Sequence, residues 1–245
     1  MFLSVFDMFK LGIGPSSSHT IGPMLAAARF LDLLRASPFT AKGLRASVHG
    51  SLAFTGVGHA TDRAIILGLA GFSPKSFERE AADAALAQIT ETKRIEPDGL
   101  PELRFDPKAD LLFDYGPALP LHANGMVLSA TDAQGDVILQ ETYYSIGGGF
   151  VLTAEELSSG QDMDDGPPVP HPFKTAGEML DMCKTQNKTI AQLKRENELS
   201  RIDAARLDQG LQEIWEVMTK CIDRGLETPG ILPGGLKVRR RAHAI

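Results

Sequence analysis

A polar stretch rich in proline and glycine divides this 245-residue chain into two parts of different character. Residues 158–172 (SSGQDMDDGPPVPHP) hold almost no large apolar side chain, which is typical of a linker between packed domains. The expected organisation is an α+β domain with a sandwich-like layering of helices and sheet over residues 1–157, the linker over 158–172, and the beginning of an all-helical domain over 173–245. The first part has the size of a typical domain, about 150 residues, and the helical part is much shorter.

The first part shows the alternating patterns of strands. Apolar residues alternate through 44–48, and residues 126–131 and 137–144 are strand-like on either side of a turn. Gly22 and Pro23 predict the start of a helix, because proline is tolerated at the first helical positions.

The second part is helical in pattern. Apolar residues between Leu207 and Ile222 recur with the 3.6-residue period of an amphipathic helix, and Gly225 stands where that helix would end. Cys183 and Cys221 stand among apolar residues of such helices, so we expect both to be core residues. Two cysteines are too few for a disulfide framework, and too few for the three or four thiolates that hold an iron–sulfur cluster.

Charge and hydropathy narrow the classes of partner. With 25 basic and 31 acidic residues the net charge is −6, which argues against nucleic acid as the main partner. No apolar run approaches the roughly 20 residues that cross a bilayer. The first 20 residues lack the basic start and cleavage site of a signal peptide. We therefore expect a cytoplasmic protein with reduced cysteines that binds neither membrane nor nucleic acid.

Two polar clusters stand directly before predicted helices. The first, GPSSSHT at residues 14–20, contains Ser16, Ser18 and His19, whose hydroxyls and backbone N–H groups suit a carboxylate or phosphate. One of the serines could instead be an ordinary helix cap. The second, TGVGHATD at residues 55–62, places His59 near a helix start, where the positive end of the dipole favours the neutral imidazole that a general base needs. A tight turn with a capping side chain is the alternative.

Two further clusters flank the predicted strands. In HANGM, His122 and Asn124 could face one site together, although an ordinary Asn-Gly turn is the simpler interpretation. In YYSIGGGF, Ser145 stands at the mouth of a glycine-rich turn, where it could contact a ligand or simply enter a flexible loop. This turn lacks the lysine of a phosphate-binding loop.

Five sequence motifs together resemble one family. GPSSSHTIGPM, GVGHATD, HANGM, ETYYSIGGGFV and LPGGLKVRRRA, in this order, are similar to segments of the iron–sulfur L-serine dehydratases, also called L-serine ammonia-lyases. In that family a β domain precedes a helical α domain. The β domain also resembles the substrate-binding regulatory domain of some phosphoglycerate dehydrogenases. The resemblance covers nearly the whole chain.

The resemblance implies a lyase of amino-acid degradation that converts L-serine to pyruvate and ammonia. A [4Fe–4S] cluster with one iron free of protein thiolate would act as the Lewis acid on the serine hydroxyl. His59 would be the general base, with Ser16, Ser18 and His19 holding the substrate carboxylate. The remaining pocket residues implied by the resemblance are His122, Asn124 and Ser145.

The family's cluster cysteines lie in the later α domain. We therefore expect no cluster ligand in this chain, and expect the ligands beyond Ile245 or in a partner chain. On this hypothesis the polypeptide is the N-terminal part of the enzyme and is inactive alone, either in a homodimer or beside a separate α-domain partner. A non-catalytic module that binds serine or another small anion is the alternative function. A pyridoxal-phosphate lyase would need a Schiff-base lysine beside the SIGGGF turn, which has none.

Overall fold

A computed structural model describes residues 2–75, 77–160, 166–232 and 237–244. Internal contacts divide the chain into two compact units. The α+β unit comprises Leu11–Gly160 and Gly230–Arg240, and the helical unit comprises Met1–Lys10, Gln161–Pro229 and Arg241–Ile245. Part of the expected linker, residues 161–165, lies outside the described residues, and the limits 1–157, 158–172 and 173–245 stay a prediction.

Helices and strands are mixed in the first part of the chain, and the named elements in the described residues after 160 are helices. The α-helices are α1 (Val5–Met8), α2 (Gly22–Ala36), α3 (Ser51–Thr55), α4 (Thr61–Leu69), α5 (Arg79–Thr92), α6 (Ala154–Ser159), α7 (Ala176–Gln186), α8 (Ile190–Leu199) and α9 (Ala204–Glu227). A π-helical turn, Ser17–Ile21, leads into α2, and 3-10 turns cover Gly56–His59 and Ala242–Ala244. The strands are β1 (Gly43–His49), β2 (Arg94–Ile95), β3 (Leu103–Arg104), β4 (Leu111–Asp114), β5 (Gly125–Thr131), β6 (Val137–Gly147) and β7 (Phe150–Thr153).

The strands form one mixed sheet in the order β2-β3-β1-β5-β6-β7. Strands β3 and β4 both run parallel to β1, whereas β5 pairs with it antiparallel, with Ala46 opposite Leu128. The β5–β6 pair is the predicted hairpin. The predicted α+β fold class is therefore confirmed, as is the helical character of the C-terminal region.

The core of the α+β unit lies between the sheet and α2. Leu44, Ala46 and Val48 alternate toward this core and are at most 4% exposed, as the sequence pattern predicts. Phe30 and Leu34 of α2 pack in the same apolar cluster. Burial of this alternating face is what specifies the register of β1.

Helices α2 and α4 pack so closely that the backbone of α4 at Gly68 approaches the backbone of α2. A Cβ on Gly68 of α4 would lie 2.5 Å from the carbonyl oxygen of Met24 and 2.7 Å from the Cβ of Ala27, both in α2. Hydrogen bonds also join the chain segments where the two helices begin, from the Thr20 hydroxyl to the His59 carbonyl and from the Thr61 hydroxyl to the His19 carbonyl. The two helices therefore run side by side in the same direction, with their N-termini together.

Buried polar side chains organise the helical unit. Asn197 of α8 is fully buried and hydrogen-bonds both backbone groups of His171, at 2.8 and 2.9 Å. Glu198 is 4% exposed and accepts from the Ser4 hydroxyl and the Val5 N–H, each at 2.7 Å. These bonds attach His171 and the Ser4–Val5 segment to α8, although both are distant from this helix in the sequence.

Two predictions about the helical unit are wrong. Cys221 is exposed, and Cys183 is only partly buried. Gly225 lies inside α9, which continues to Glu227, so it does not end the helix. The residues with the 3.6-residue period do lie in one helix, α9, but among its described residues only Leu207 and Ile214 are buried. Within the described residues, no helix is long and apolar enough to cross a membrane.

We predict that Gly68→Ala lowers the free energy of unfolding by about 1–3 kcal/mol, because the new methyl group has to push α2 away from α4. Gly225→Ala is the control, since open space surrounds that helical glycine and alanine should stabilise α9 by about 0.5–1 kcal/mol. Urea unfolding of both variants measures the difference. Equal stability of Gly68→Ala and the parent chain would contradict the close approach.

Candidate functional site

The first predicted cluster forms the turn that leads into α2. The side chain of Ser16 caps the π-helical turn by accepting from the N–H of His19 at 3.2 Å. The capping alternative is therefore correct for Ser16. Its hydroxyl also lies 3.4 Å from that of Ser18, so the two serines and the histidine form one connected group.

The ring of His19 lies between two hydroxyl groups. Its Nδ1 is 2.9 Å from Ser18 Oγ, and its Nε2 is 3.1 Å from Ser51 Oγ. A hydroxyl can donate or accept, so these partners accommodate either neutral tautomer of the ring. His19 can therefore exchange donor and acceptor roles without moving.

The position of Ser51 depends on a glycine turn between β1 and α3. Gly50 has φ +55°, which favours glycine, and a Cβ there would collide with the carbonyl oxygen of Ala123. The N–H of Ser51 donates to that same oxygen at 2.8 Å. This turn attaches the loop containing His122 and Asn124 to the residue that contacts His19.

The backbone fixes the tautomer of His59. Its Nδ1 lies 2.9 Å from the carbonyl oxygen of Thr55. A carbonyl can only accept, so Nδ1 carries the proton and the neutral ring has its lone pair on Nε2. The His59 ring is partly exposed, and its centroid is 4.8 Å from that of His19.

Burial lowers the pKa of His19 below the ordinary histidine value of about 6.5. The neighbouring His59 lowers this pKa further, because two positive rings would repel each other, while a hydrogen bond with Ser51 acts in the opposite direction. The neutral form of His19 is therefore favoured at pH 7. Since its pKa is higher in the unfolded chain, its contribution to stability is complete above about pH 6.5 and is lost as the pH falls below that value.

His122 and Asn124 belong to a second group beside the first. The N–H of Asn124 donates to His122 Nδ1 at 3.1 Å, and the Asn124 amide donates to the carbonyl oxygen of Ser145 at 3.0 Å. The N–H of Ser145 returns a bond to the Asn124 carbonyl at 3.0 Å. A neutral His122 therefore keeps its proton on Nε2, which is left as a donor.

The hydroxyl of Ser145 lies in the interior. Ser145 is 0% exposed, and its Oγ has no hydrogen-bond partner among the described residues. A Cβ on Gly22, the first residue of α2, would collide with this hydroxyl. Ser145 therefore lies beneath the start of α2, and a ligand could reach it only if that turn moved.

The structure thus brings Ser16, Ser18, His19 and His59 into one cluster. His122, Asn124 and Ser145 connect to it through the Ser51–Ala123 bond and the Ser145–Gly22 approach. Sequence reasoning missed Ser51 and the Thr55 carbonyl. Ser51 follows a glycine that ends a predicted strand, and that position is the only signal available for it in the sequence.

The cysteines do not fit an iron–sulfur cluster. Cys183 lies in α7 and Cys221 in α9, and the described residues include no group of three or more His, Cys, Asp or Glu side chains placed to hold a metal ion. A four-iron cluster needs three or four thiolates. The fifth quoted motif, LPGGLKVRRRA, lies partly outside the described residues, at 233–236.

Residues 4–156 match the family model described as serine dehydratase beta chain. The chain is 44% identical over 244 residues to L-serine dehydratase of Streptomyces coelicolor, an alignment that covers 99% of this chain and 54% of that relative. It is 42% identical to L-serine dehydratase 1 of Escherichia coli, covering 99% and 53%. The corresponding protein of Helicobacter pylori is 38% identical, with 99% and 53% covered. The chain spans about half the length of the curated relatives it matches.

We predict that His59→Gln raises the pKa of His19, because the substitution removes the ring whose electrostatic repulsion lowers that pKa and keeps most of the side-chain volume. An NMR titration of the histidine ring signals measures this change. His49→Gln is the control, since His49 pairs with Ser47 and Asp114 and should leave the His19 titration unchanged. An unaltered or lower His19 pKa in His59→Gln would contradict the coupling.

We also predict opposite effects at the two residues that meet beneath α2. Gly22→Ala should lower the free energy of unfolding by about 1–3 kcal/mol, because the added methyl overlaps Ser145. Ser145→Ala removes a buried hydroxyl that has no hydrogen-bond partner among the described residues, and it should be close to neutral or slightly stabilising. In urea unfolding the double variant should be less destabilised than the sum of the two single changes gives. Strict additivity would show that the added methyl group and the Ser145 hydroxyl do not meet.

Proposed function

Because the chain belongs to the serine dehydratase beta chain family, we propose that it supplies the substrate-binding and proton-removing part of an L-serine dehydratase. L-serine is the proposed substrate, because the chain is homologous to L-serine dehydratases over nearly its whole length. The reaction is loss of water from L-serine, followed by hydrolysis of the enamine to pyruvate and ammonia. The chain covers half of such an enzyme, so the complete reaction requires groups from outside it.

The observation that carries this proposal is the fixed tautomer of His59. The α-proton of serine is weakly acidic, so its removal needs a neutral base placed against it. The bond from Nδ1 to the Thr55 carbonyl directs the basic nitrogen, Nε2, away from its own backbone. We assign His59 as the general base that takes the α-proton on Nε2.

The serines beside His19 suit the substrate carboxylate. The N-termini of α2 and α4 lie together, and each is the positive end of a helix dipole. The hydroxyls of Ser16 and Ser18 lie in the turn that leads into α2, where they can turn toward an anion. His19 can donate from either ring nitrogen, so it can follow the carboxylate without changing its charge.

We assign His122, Asn124 and Ser145 as the residues that complete the pocket. His122 offers a donor on Nε2, and Asn124 holds the backbone of Ser145 through two hydrogen bonds. The Ser145 hydroxyl is buried beneath Gly22, so its contact with substrate requires a shift of the turn before α2. This requirement separates Ser145 from the partly exposed histidines.

Hydroxide is a poor leaving group, and departure of the serine hydroxyl needs a Lewis acid. In the family that the sequence resembles, this is a [4Fe–4S] cluster. The two cysteines of this chain do not fit such a cluster, so we infer that its thiolates come from a helical catalytic domain outside this chain. A homodimer that includes such a domain is the assembly we propose.

We predict that His59→Ala abolishes turnover while L-serine still binds. The assay combines this chain with the C-terminal half of the E. coli relative, loaded with iron and sulfide without oxygen, and measures pyruvate. Loss of a general base lowers kcat by about 10²–10⁴-fold. His49→Gln should keep normal turnover. A near-normal kcat for His59→Ala would remove His59 as the base.

Binding to the isolated chain distinguishes the alternative function. L-serine should shift the ring signals of His19 and His59, whereas L-alanine, which lacks the hydroxyl, and D-serine should shift them less. Binding of L-serine without pyruvate in any reconstituted assembly would favour a regulatory serine-binding module. Absence of serine binding to both the chain and the assembly would contradict both functions.

A further inference from the structure

Two buried threonines exchange hydrogen bonds across the histidine pair. The hydroxyl of Thr20, next to His19, donates to the carbonyl oxygen of His59 at 2.9 Å. The hydroxyl of Thr61, two residues after His59, donates to the carbonyl oxygen of His19 at 2.6 Å. Each histidine backbone is therefore held by the threonine that belongs to the other histidine's segment.

These bonds differ from those of other helical threonines in the chain. Thr90, Thr92 and Thr185 each donate to the carbonyl oxygen four residues earlier in their own helix. That local bond is the common choice for threonine in a helix. Thr20 and Thr61 instead reach across 39 and 42 residues. Local helix chemistry does not explain them.

Helix capping does not explain Thr61 either. The residue at the cap position of α4 is Ala60, and it makes no side-chain capping bond. Ala60 has φ +54° and ψ +37°, a left-handed conformation that costs an alanine about 1–2 kcal/mol. The chain therefore holds an unfavourable backbone conformation between His59 and Thr61. Strain of this kind persists where neighbouring bonds fix it.

Burial makes both hydroxyl bonds effective. Thr20 is 3% exposed and Thr61 is 0% exposed, so water does not compete for either hydroxyl. Loss of one hydroxyl would leave a carbonyl of a histidine without its buried donor. Either loss would also remove one of the two hydroxyl bonds that join the segments of His19 and His59.

We propose that Thr20 and Thr61 are positioning residues that set the spacing and orientation of the His19 and His59 rings. The pair acts as a reciprocal clamp. Thr20, just before α2, holds the carbonyl of His59, and Thr61, the first residue of α4, holds the carbonyl of His19. Its consequence for catalysis rests on the proposed function, since it places His59 Nε2 relative to a substrate held beside His19. The clamp itself is a property of the folded chain.

The test replaces each threonine by valine, which keeps the shape and removes the hydroxyl. Histidine ring signals of the 245-residue chain are recorded by ¹⁵N NMR for Thr20→Val, Thr61→Val and Thr61→Ser. The matched control is Thr90→Val, which removes a local helical bond in the same unit. We expect the ring signals of His19 and His59, and the titration of His19, to change in both valine variants, and to stay as in the parent chain in Thr61→Ser and Thr90→Val.

Turnover provides a second measurement in the assembly reconstituted with the C-terminal half of the E. coli relative. Misplacement of a catalytic group by about 1 Å costs up to about a hundredfold in rate, so Thr61→Val should lose ten- to a hundredfold in kcat with little change in KM. Thr61→Ser should recover most of it. A loss confined to KM would overturn the positioning role.

Other outcomes also decide the proposal. Parent-like ring signals in folded Thr20→Val and Thr61→Val would overturn it. If both valine variants unfold while Thr90→Val folds, the hydroxyls serve global stability and the positioning role is also overturned. If the rings respond as expected but no assembly turns over serine, the clamp stands and the proposed function fails.

Discussion

The close parallel packing of α2 against α4 is the contact on which the histidine cluster depends. Gly68 lets α4 approach the backbone of α2, and the shared direction of the helices brings their N-termini to one place. The π-helical turn before α2 carries His19, and the 3-10 turn before α4 carries His59. Neither turn alone would form the cluster, because the packing of α2 against α4 is what brings the His19 and His59 rings together.

The cluster uses hydroxyls and a backbone carbonyl as the partners of its imidazoles. Ser18 and Ser51 flank His19, and the Thr55 carbonyl holds His59. Such partners orient a ring without adding charge, and burial together with repulsion by His59 favours the neutral form of His19. The arrangement suits chemistry in which a neutral imidazole receives a proton and a neighbouring group binds an anion.

Sequence reasoning identified the fold class and the polar clusters because both are local patterns. Alternation in β1 and the hairpin of β5 and β6 follow from side-chain periodicity, and the structure has both. The bonds of Thr20, Ser51 and Thr61 could not be predicted, since they join residues 32 to 42 positions apart. The expectation for Cys221 failed for a related reason: period indicates which face of a helix is apolar, but not how much of that face is covered.

The bond between His59 Nδ1 and the Thr55 carbonyl leaves the ring with one working nitrogen. A ring with both nitrogens open can pass a proton through, accepting on one side and releasing on the other. His59 has no second nitrogen available for proton release, because its Nδ1 already donates to the Thr55 carbonyl. A proton taken from the substrate at Nε2 has to leave by Nε2, either to solvent or back to the same face of the product. In the proposed reaction, the base therefore takes up and releases the proton at the same nitrogen, Nε2, and does not relay it to the protein interior.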